Sequence, residues 1–322
     1  MAADTRTGEA TRQASGAVAA RPDVDAMALA RIVRRLAAAP AAPWLHTEVA
    51  RRMAQRLPWI LRQPQTVLQW WGAVGGDDAV LAVAYPEAQR VSVEPDAATA
   101  SRRAAAARAP WWSARRWAGG GPAFVVEGDR LPAAQLLWAN MALHWVPDPR
   151  AQLLRWQRLL ADDGFLMFST FGCATLAALP GLYRDLGWPA PAAAFVDMHD
   201  LGDMLIQAGF ADPVMDQELL TLTWPDAAAA LAELRGLGGN AAAQRHAGLR
   251  TPRWRQRLLD ALGAQRDAQG RVRLSFELVY GHAFNAPMRV KLAARTEVSL
   301  ADFRAMTRRG GNQPFSKSSG TR

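Results

Sequence analysis

Three glycines follow the first strongly apolar run of the chain: Thr66-Val67-Leu68-Gln69-Trp70-Trp71 leads into Gly72, Gly75 and Gly76. A glycine-rich turn between a strand and a helix lets a ligand approach bare backbone and presents amide N–H groups to it. Glu94 ends the next apolar run, where a carboxylate can accept both hydroxyls of a ribose. Asp129 follows a third such run and Asn140 a fourth, so both fall on the same rim. The turn from Gln69 to Gly76, with Gly72 and Gly75, and the acid at Glu94 point to a nucleoside-containing cofactor. Three glycines also suit a plain turn, and Asp129 and Asn140 suit turn caps.

Parallel crossovers would bring these residues together. Helical spacing covers Asp25 to Leu36 and Leu45 to Leu57, the latter with Val49, Met53 and Leu57 in phase. Arg90–Val93, Phe124–Glu127, Gln135–Ala139 and Gly164–Thr170 read as further strands, the middle two as buried ones. Asp77–Ala84, Ala97–Arg108 and Pro149–Leu160 read as the helices between. Five alternations of strand and helix predict an open, doubly wound α/β sheet with its chemistry at the carboxyl ends of the strands. The second half adds a helix over 200–208, strands over 213–224 and 271–284, and a helical insertion about 225–264 between those strands. The sheet is therefore expected to close with an antiparallel pair and to carry a helical lid. Residues 1–24 read as a disordered lead-in, 25–290 as the domain, and 291–322 as a basic, largely disordered tail.

Composition narrows the classes. No stretch approaches a membrane span, and residues 1–21 lack the apolar middle of a secretory signal. A single cysteine, Cys173, removes a disulfide framework and argues against a cysteine-based metal site. His199 lies beside Asp197 and Asp200 without a third ligand, so those aspartates read as helix caps and no metal is expected. The expectation is a cytoplasmic protein. The net charge of +9 is carried almost wholly by arginine. Those arginines are spread along the chain, so a nucleic-acid footprint is not expected in spite of the Arg/Trp stretch from Trp111 to Trp117.

Longer motifs then carry a resemblance. Leu137-Trp138-Ala139-Asn140-Met141-Ala142-Leu143-His144-Trp145 resembles the strand-four motif of class I, S-adenosylmethionine-dependent methyltransferases. Phe195–Leu205, Ala208–Asp216, Leu234–Asn240 and Phe276–Phe284 are similar to the malonyl-acyl-carrier-protein O-methyltransferases of biotin synthesis. The resemblance implies a Rossmann-like, seven-stranded sheet and S-adenosylmethionine as cofactor. Glu94 would hold the ribose, Asp129 the adenine amine, and Gly75 and Asn140 the methionine part. It also implies an acidic partner, acyl carrier protein, with His144 and Trp145 facing the substrate and Arg235, Arg245 or Arg250 meeting the carrier or a carboxylate.

The chain departs from the family at the turn. The family's strand-one acid is Gln69 here, its first glycine is Trp71 and its second Ala73; Gly75 remains. Losing the charge-assisted bond from an acid at position 69 costs about 1.5–3 kcal/mol of cofactor binding. The usual Thr-Tyr-Asp of the N-terminal segment is replaced by Ala42-Pro43-Trp44. Two readings follow: methyl transfer to a carrier-bound carboxylate, and a catalytically degenerate methyltransferase fold that binds or assembles a partner.

Overall fold

Apolar runs such as Val67-Leu68 and Leu136-Leu137-Trp138 bury both faces of a strand and belong in a sheet covered on each side. The computed structural model of the chain, which describes residues 21–108 and 121–285, places them there. The sheet has seven strands in the order β3-β2-β1-β4-β5-β7-β6. They are β1 Thr66–Trp70, β2 Gln89–Glu94, β3 Ala123–Val126, β4 Ala134–Ala139, β5 Leu160–Phe171, β6 Phe210–Trp224 and β7 Val272–Asn285. Strands β1 to β5 run parallel, and β7 is antiparallel to both β5 and β6. This is the class I methyltransferase sheet that the resemblance implies. Its order reverses at β1 and β4, where open α/β sheets bind ligands.

Helices cover both faces. On one lie α1 (Ala26–Ala38), the short α3 (Gly72–Gly75), α6 (Pro149–Leu159) and α8 (Met198–Gln207), packed on Leu68, Trp70, Leu137 and Phe168. On the other lie α2 (Trp44–Ala54), α4 (Asp78–Ala84), α7 (Ala178–Asp185), α9 (Ala227–Leu237) and α10 (Pro252–Gly263), packed on Val67, Trp138, Phe165 and Phe276. Helix α5 (Ala97–Ala107) follows β2 and packs on β2 and β3. Helices α9 and α10 stand between β6 and β7 in sequence, and Leu237, Leu258 and Leu262 bury them in the second core.

Three details differ from expectation. Among the described residues only β2 flanks β3, which is therefore an edge strand with Ala123 exposed and Phe124–Val126 half-buried. Strand β5 begins at Leu160, directly after α6. Helix α7 was not expected; its Pro180 and Gly181 hide an apolar face made by Leu179, Leu182 and Tyr183. All described residues fall in one compact unit. Of the lead-in expected over 1–24, residues 1–20 lie outside the described residues, as do Trp111–Trp117 and the tail 291–322, whereas 21–24 are ordered and Val24 pairs with Ala242. Among the described residues no helix is long and apolar enough to cross a membrane.

One glycine ties α9 to the rim. Gly238 has φ 155° and ψ −132°, and its carbonyl accepts from Arg35 of α1. A Cβ there would fall inside the Trp145 ring. Gly238→Ala is therefore expected to destabilise the fold by about 2–4 kcal/mol, from backbone strain and overpacking together. Urea denaturation measures this; a loss below about 1 kcal/mol would show that the ring moves aside freely.

Candidate active site

The turn after β1 is built around a strained residue. Trp71 takes φ 53°, which is unusual for an aromatic side chain, and its carbonyl accepts from Val74 and Gly75 N–H to start α3. Its ring is buried and its Nε1 donates to Glu127 at 3.0 Å. The two predicted glycines are close-approach positions. A Cβ on Gly72 would meet the Gln69 amide and the Arg103 guanidinium at 2.6 Å. One on Gly75 would meet the Asp77 carboxylate at 2.9 Å and the Asn140 carbonyl at 3.1 Å.

Gln69 is buried and donates from Nε2 to Asp77 and, at 2.8 Å, to Asp78. Asp77 also accepts from Trp138 Nε1 at 2.6 Å, so two donors converge on this fully buried carboxyl. Burial pushes its pKa up to about 7, against the pull of Gln69 and Trp138. Between its ordinary value of 3.8 and about 7 the folded chain binds more protons than the unfolded one, so this contribution falls as pH rises. The stability advantage of wild type over Asp77→Asn is accordingly expected to be larger at pH 5 than at pH 8. Denaturation midpoints of the two proteins at both pH values check this, and a pH-independent difference would refute it.

Glu94, the predicted ribose acid, lies at the end of β2 and is fully buried. Its Oε1 accepts from Ser92 at 2.7 Å and from Arg103 of α5, while Oε2 has one long contact, 3.4 Å from Ala73 N. Arg103 also holds Asp78 and stands over the Phe124 ring. Asp129 is exposed and accepts from Val126 N at 2.8 Å, which makes it a turn cap in this structure. The acid after β3 that reaches the rim is Glu127, bound by Trp71 and Arg155.

Asn140, after β4, is fully buried and joins three elements. Its amide donates to His46 O of α2 and Gly75 O of the turn, both at 2.8 Å, and its Oδ1 accepts from Ser169 of β5 at 2.6 Å. His144 and Trp145 form a buried 3-10 turn, with the His144 ring against Phe171 at 4.6 Å. Among the arginines predicted for the substrate, Arg235 and Arg250 are exposed, and Arg250 stacks over Trp254 at 4.2 Å. Arg245 instead pairs internally with Asp25 at 2.6 Å. His199 is exposed, and Asp197 caps α8 by accepting from its backbone N–H.

Two cavities flank this constellation. The first, about 570 Å³, lies between α1, α6 and the ends of β1, β2 and β3, and is lined by Trp71, Pro95, Glu127, Trp145, Gln152 and Arg155. In its walls Trp145 Nε1 and Gln152 Nε2 are buried donors without a partner among the described residues. The second, about 690 Å³, is lined by Thr175, Leu179, Tyr183, Trp188 and Phe195, with exposed Arg184 at its edge. Four residues that matter here were not singled out from sequence: Asp77, Arg103, Glu127 and His46. Arg103 and His46 left a signal, since each falls in phase with buried neighbours of its helix: Thr99 and Ala100 for Arg103, Val49 and Met53 for His46.

The chain is similar to known proteins over most of its length. It is 37% identical over 253 residues to a malonyl-[acyl-carrier protein] O-methyltransferase of Gallionella capsiferriformans, covering 76% of this chain and 86% of that one. It is 36% identical over 253 residues to the protein of the same name from Laribacter hongkongensis, covering 76% and 84%. Among solved structures, the YcgJ protein of Bacillus subtilis superposes with a TM-score of 0.51 over 75% of this chain and 100% of its own; at 12% identity this shows the fold. No family model matches the chain.

Proposed function

The chain belongs to the malonyl-[acyl-carrier protein] O-methyltransferase family, and from that premise we propose that it methylates the free carboxyl of a malonyl group carried on acyl carrier protein, with S-adenosylmethionine as the methyl donor. The observation that supports it is the smaller cavity beside the ends of β1, β2 and β3, with buried donors that have no partner among the described residues. Buried polar groups without partners are uncommon in folded proteins, and where they wall a cavity an occupant with acceptor atoms would satisfy them. An adenosyl group supplies them, as ring nitrogens and ribose oxygens.

The residues fit that group in a modified arrangement. Trp71 and Pro95 would wall the adenosyl end, Trp145 and Gln152 would donate to it, and Glu127 is the carboxylate at the wall. Glu94, directly before the cavity-lining Pro95, keeps Oε2 nearly free, and Trp71 at the head of the glycine turn lines the cavity itself. The bound cofactor would supply a methyl group already activated by its sulfonium. The protein's remaining task is to position the acceptor oxygen in line and to exclude water. The larger cavity, apolar along Leu179, Tyr183 and Trp188, would take the carrier's acyl arm, and exposed Arg184, Arg235 and Arg250 would face an acidic carrier. Biotin synthesis is the pathway that the family resemblance implies.

One observation favours a second reading, a domain of the same fold that binds without catalysis: the acid at Glu94 is neutralised by Arg103, and Gln69 replaces the strand-one acid. Calorimetric titration with S-adenosylmethionine and its demethylated product separates the two. Micromolar affinity together with methyl transfer to malonyl-acyl carrier protein is expected. Folded protein that gives no heat at millimolar ligand would sink the first reading.

A further inference from the structure

Two histidines stand between the glycine turn and the larger cavity with half of their hydrogen-bonding capacity unused. The His46 and His144 rings meet edge to face, with centroids 6.4 Å apart and planes at 83°. Both are buried, and neither Nε2 has a partner among the described residues. On one side His46 Nδ1 lies 2.8 Å from Val74 O of the turn. On the other, His144 packs on Phe171 and on Phe195, which lines the larger cavity.

Their protons can be assigned from their partners. A carbonyl only accepts, so His46 carries its proton on Nδ1 and presents a lone pair at Nε2. Burial lowers its pKa to about 4 and keeps the ring neutral. His144 Nδ1 lies 3.2 Å from the Thr170 hydroxyl, whose other acceptor, Phe171 O, is distant at 3.5 Å. That hydroxyl therefore donates to Nδ1, and the proton of His144, a ring also kept neutral by burial, sits on Nε2. Arg21, whose charge reaches His144, is held by Ala194 O and Asp23. The pair thus offers one acceptor and one donor.

Resting on the methyltransferase reading, we propose that His46 and His144 seat the methyl-accepting carboxyl in its un-ionised form, His46 Nε2 accepting from its O–H and His144 Nε2 donating to its other oxygen. In the transfer step the carbonyl oxygen forms the new O–CH3 bond. The C–S bond of the sulfonium breaks with its electron pair going to sulfur, and the O–H proton passes to His46 Nε2. The product ester has no O–H and loses its contact to His46, which favours release.

The test titrates the full-length protein with malonyl-pantetheine and with its methyl ester. His46→Asn keeps an amide for Val74 O and removes Nε2; His46→Gln restores an acceptor near that position; His144→Asn removes the donor. In His46→Asn the acid is expected to bind about tenfold more weakly, close to the ester, with ester affinity unchanged and His46→Gln recovering part of the loss. His144→Asn should weaken both ligands. Melting curves confirm that the variants are folded. Equal acid affinity in wild type and folded variants, or no binding to wild type, overturns the seat. Methyl transfer by wild type to malonyl-acyl carrier protein is measured separately: transfer with unchanged affinities removes the seat alone, and histidine-dependent binding without transfer removes the methyltransferase reading alone.

Discussion

Replacing Arg103 with methionine is expected to destabilise the protein by about 3–5 kcal/mol, because it leaves a fully buried carboxylate without its cation. Glu94 is fully buried and the Arg103 side chain only 12% exposed, so solvent does little to screen the pair. Methionine keeps much of the aliphatic volume against Phe124 while removing the contacts to Glu94, Ser92 and Asp78. The cost belongs to the unpaired acid rather than to an intrinsically strong bridge. Arg103→Met combined with Glu94→Gln is therefore expected to regain most of the loss, since the buried charge is then absent altogether. Urea denaturation of the two single variants and the double variant closes the cycle. A double variant no better than Arg103→Met would mean that the guanidinium acts through packing. The same proteins report on the cofactor: if Glu94 holds a ribose, Glu94→Gln weakens S-adenosylmethionine binding even where Arg103 is retained.

How much of this was legible in the sequence follows from the range of each interaction. Strands β1 and β4 announce themselves because a doubly covered strand is largely apolar on both faces, β2 shows only the alternation of Val91 and Val93, and the turns after the three are punctuated by Gly72, Glu94 and Asn140. Position on the rim was therefore readable. What each rim residue touches was not. Asn140 meets His46 across 94 positions of sequence, and Trp71 meets Glu127 across 56. Local periodicity carries no information on such pairs. Asp77 starts a helix in the sequence reading and does stand at the N-cap position of α4, but its carboxyl makes no capping bond and turns inward to Gln69 and Trp138. Asp129 is the acid that the apolar run points to after β3; the tight turn at Gly128 (φ 114°) turns it back onto Val126 and leaves Glu127 on the rim. Helix α7 was missed for the opposite reason: its proline and glycine are strong local breakers, and tertiary packing of Leu179, Leu182 and Tyr183 overrides them.

Asn140→Ala is expected to cost about 3–5 kcal/mol, since a buried donor or acceptor left unmade costs about 1–3 kcal/mol and this side chain serves three. The Gly75 carbonyl would lose this donor and the Ser169 hydroxyl its acceptor, and the His46 carbonyl would keep only its place in the α2 ladder. Ser169 retains a partner because it also accepts from Met141 N at 3.1 Å, which keeps the sum below three full penalties. Asn140→Asp separates hydrogen bonding from space filling. It preserves the shape, yet it turns a carboxyl oxygen toward two carbonyl oxygens in a site without solvent, and an ionised carboxylate has no proton to offer either. The near-isosteric variant should therefore be at least as unstable as the truncated one, and this ordering is the sharper measurement. Because the side chain ties the glycine turn to α2 and β5, any Asn140→Ala protein that folds should also bind S-adenosylmethionine more weakly. If Asn140→Asp instead proved milder than Asn140→Ala, the residue would be filling a cavity and the tie between turn, helix and strand would have to come from His46 Nδ1 on Val74 O.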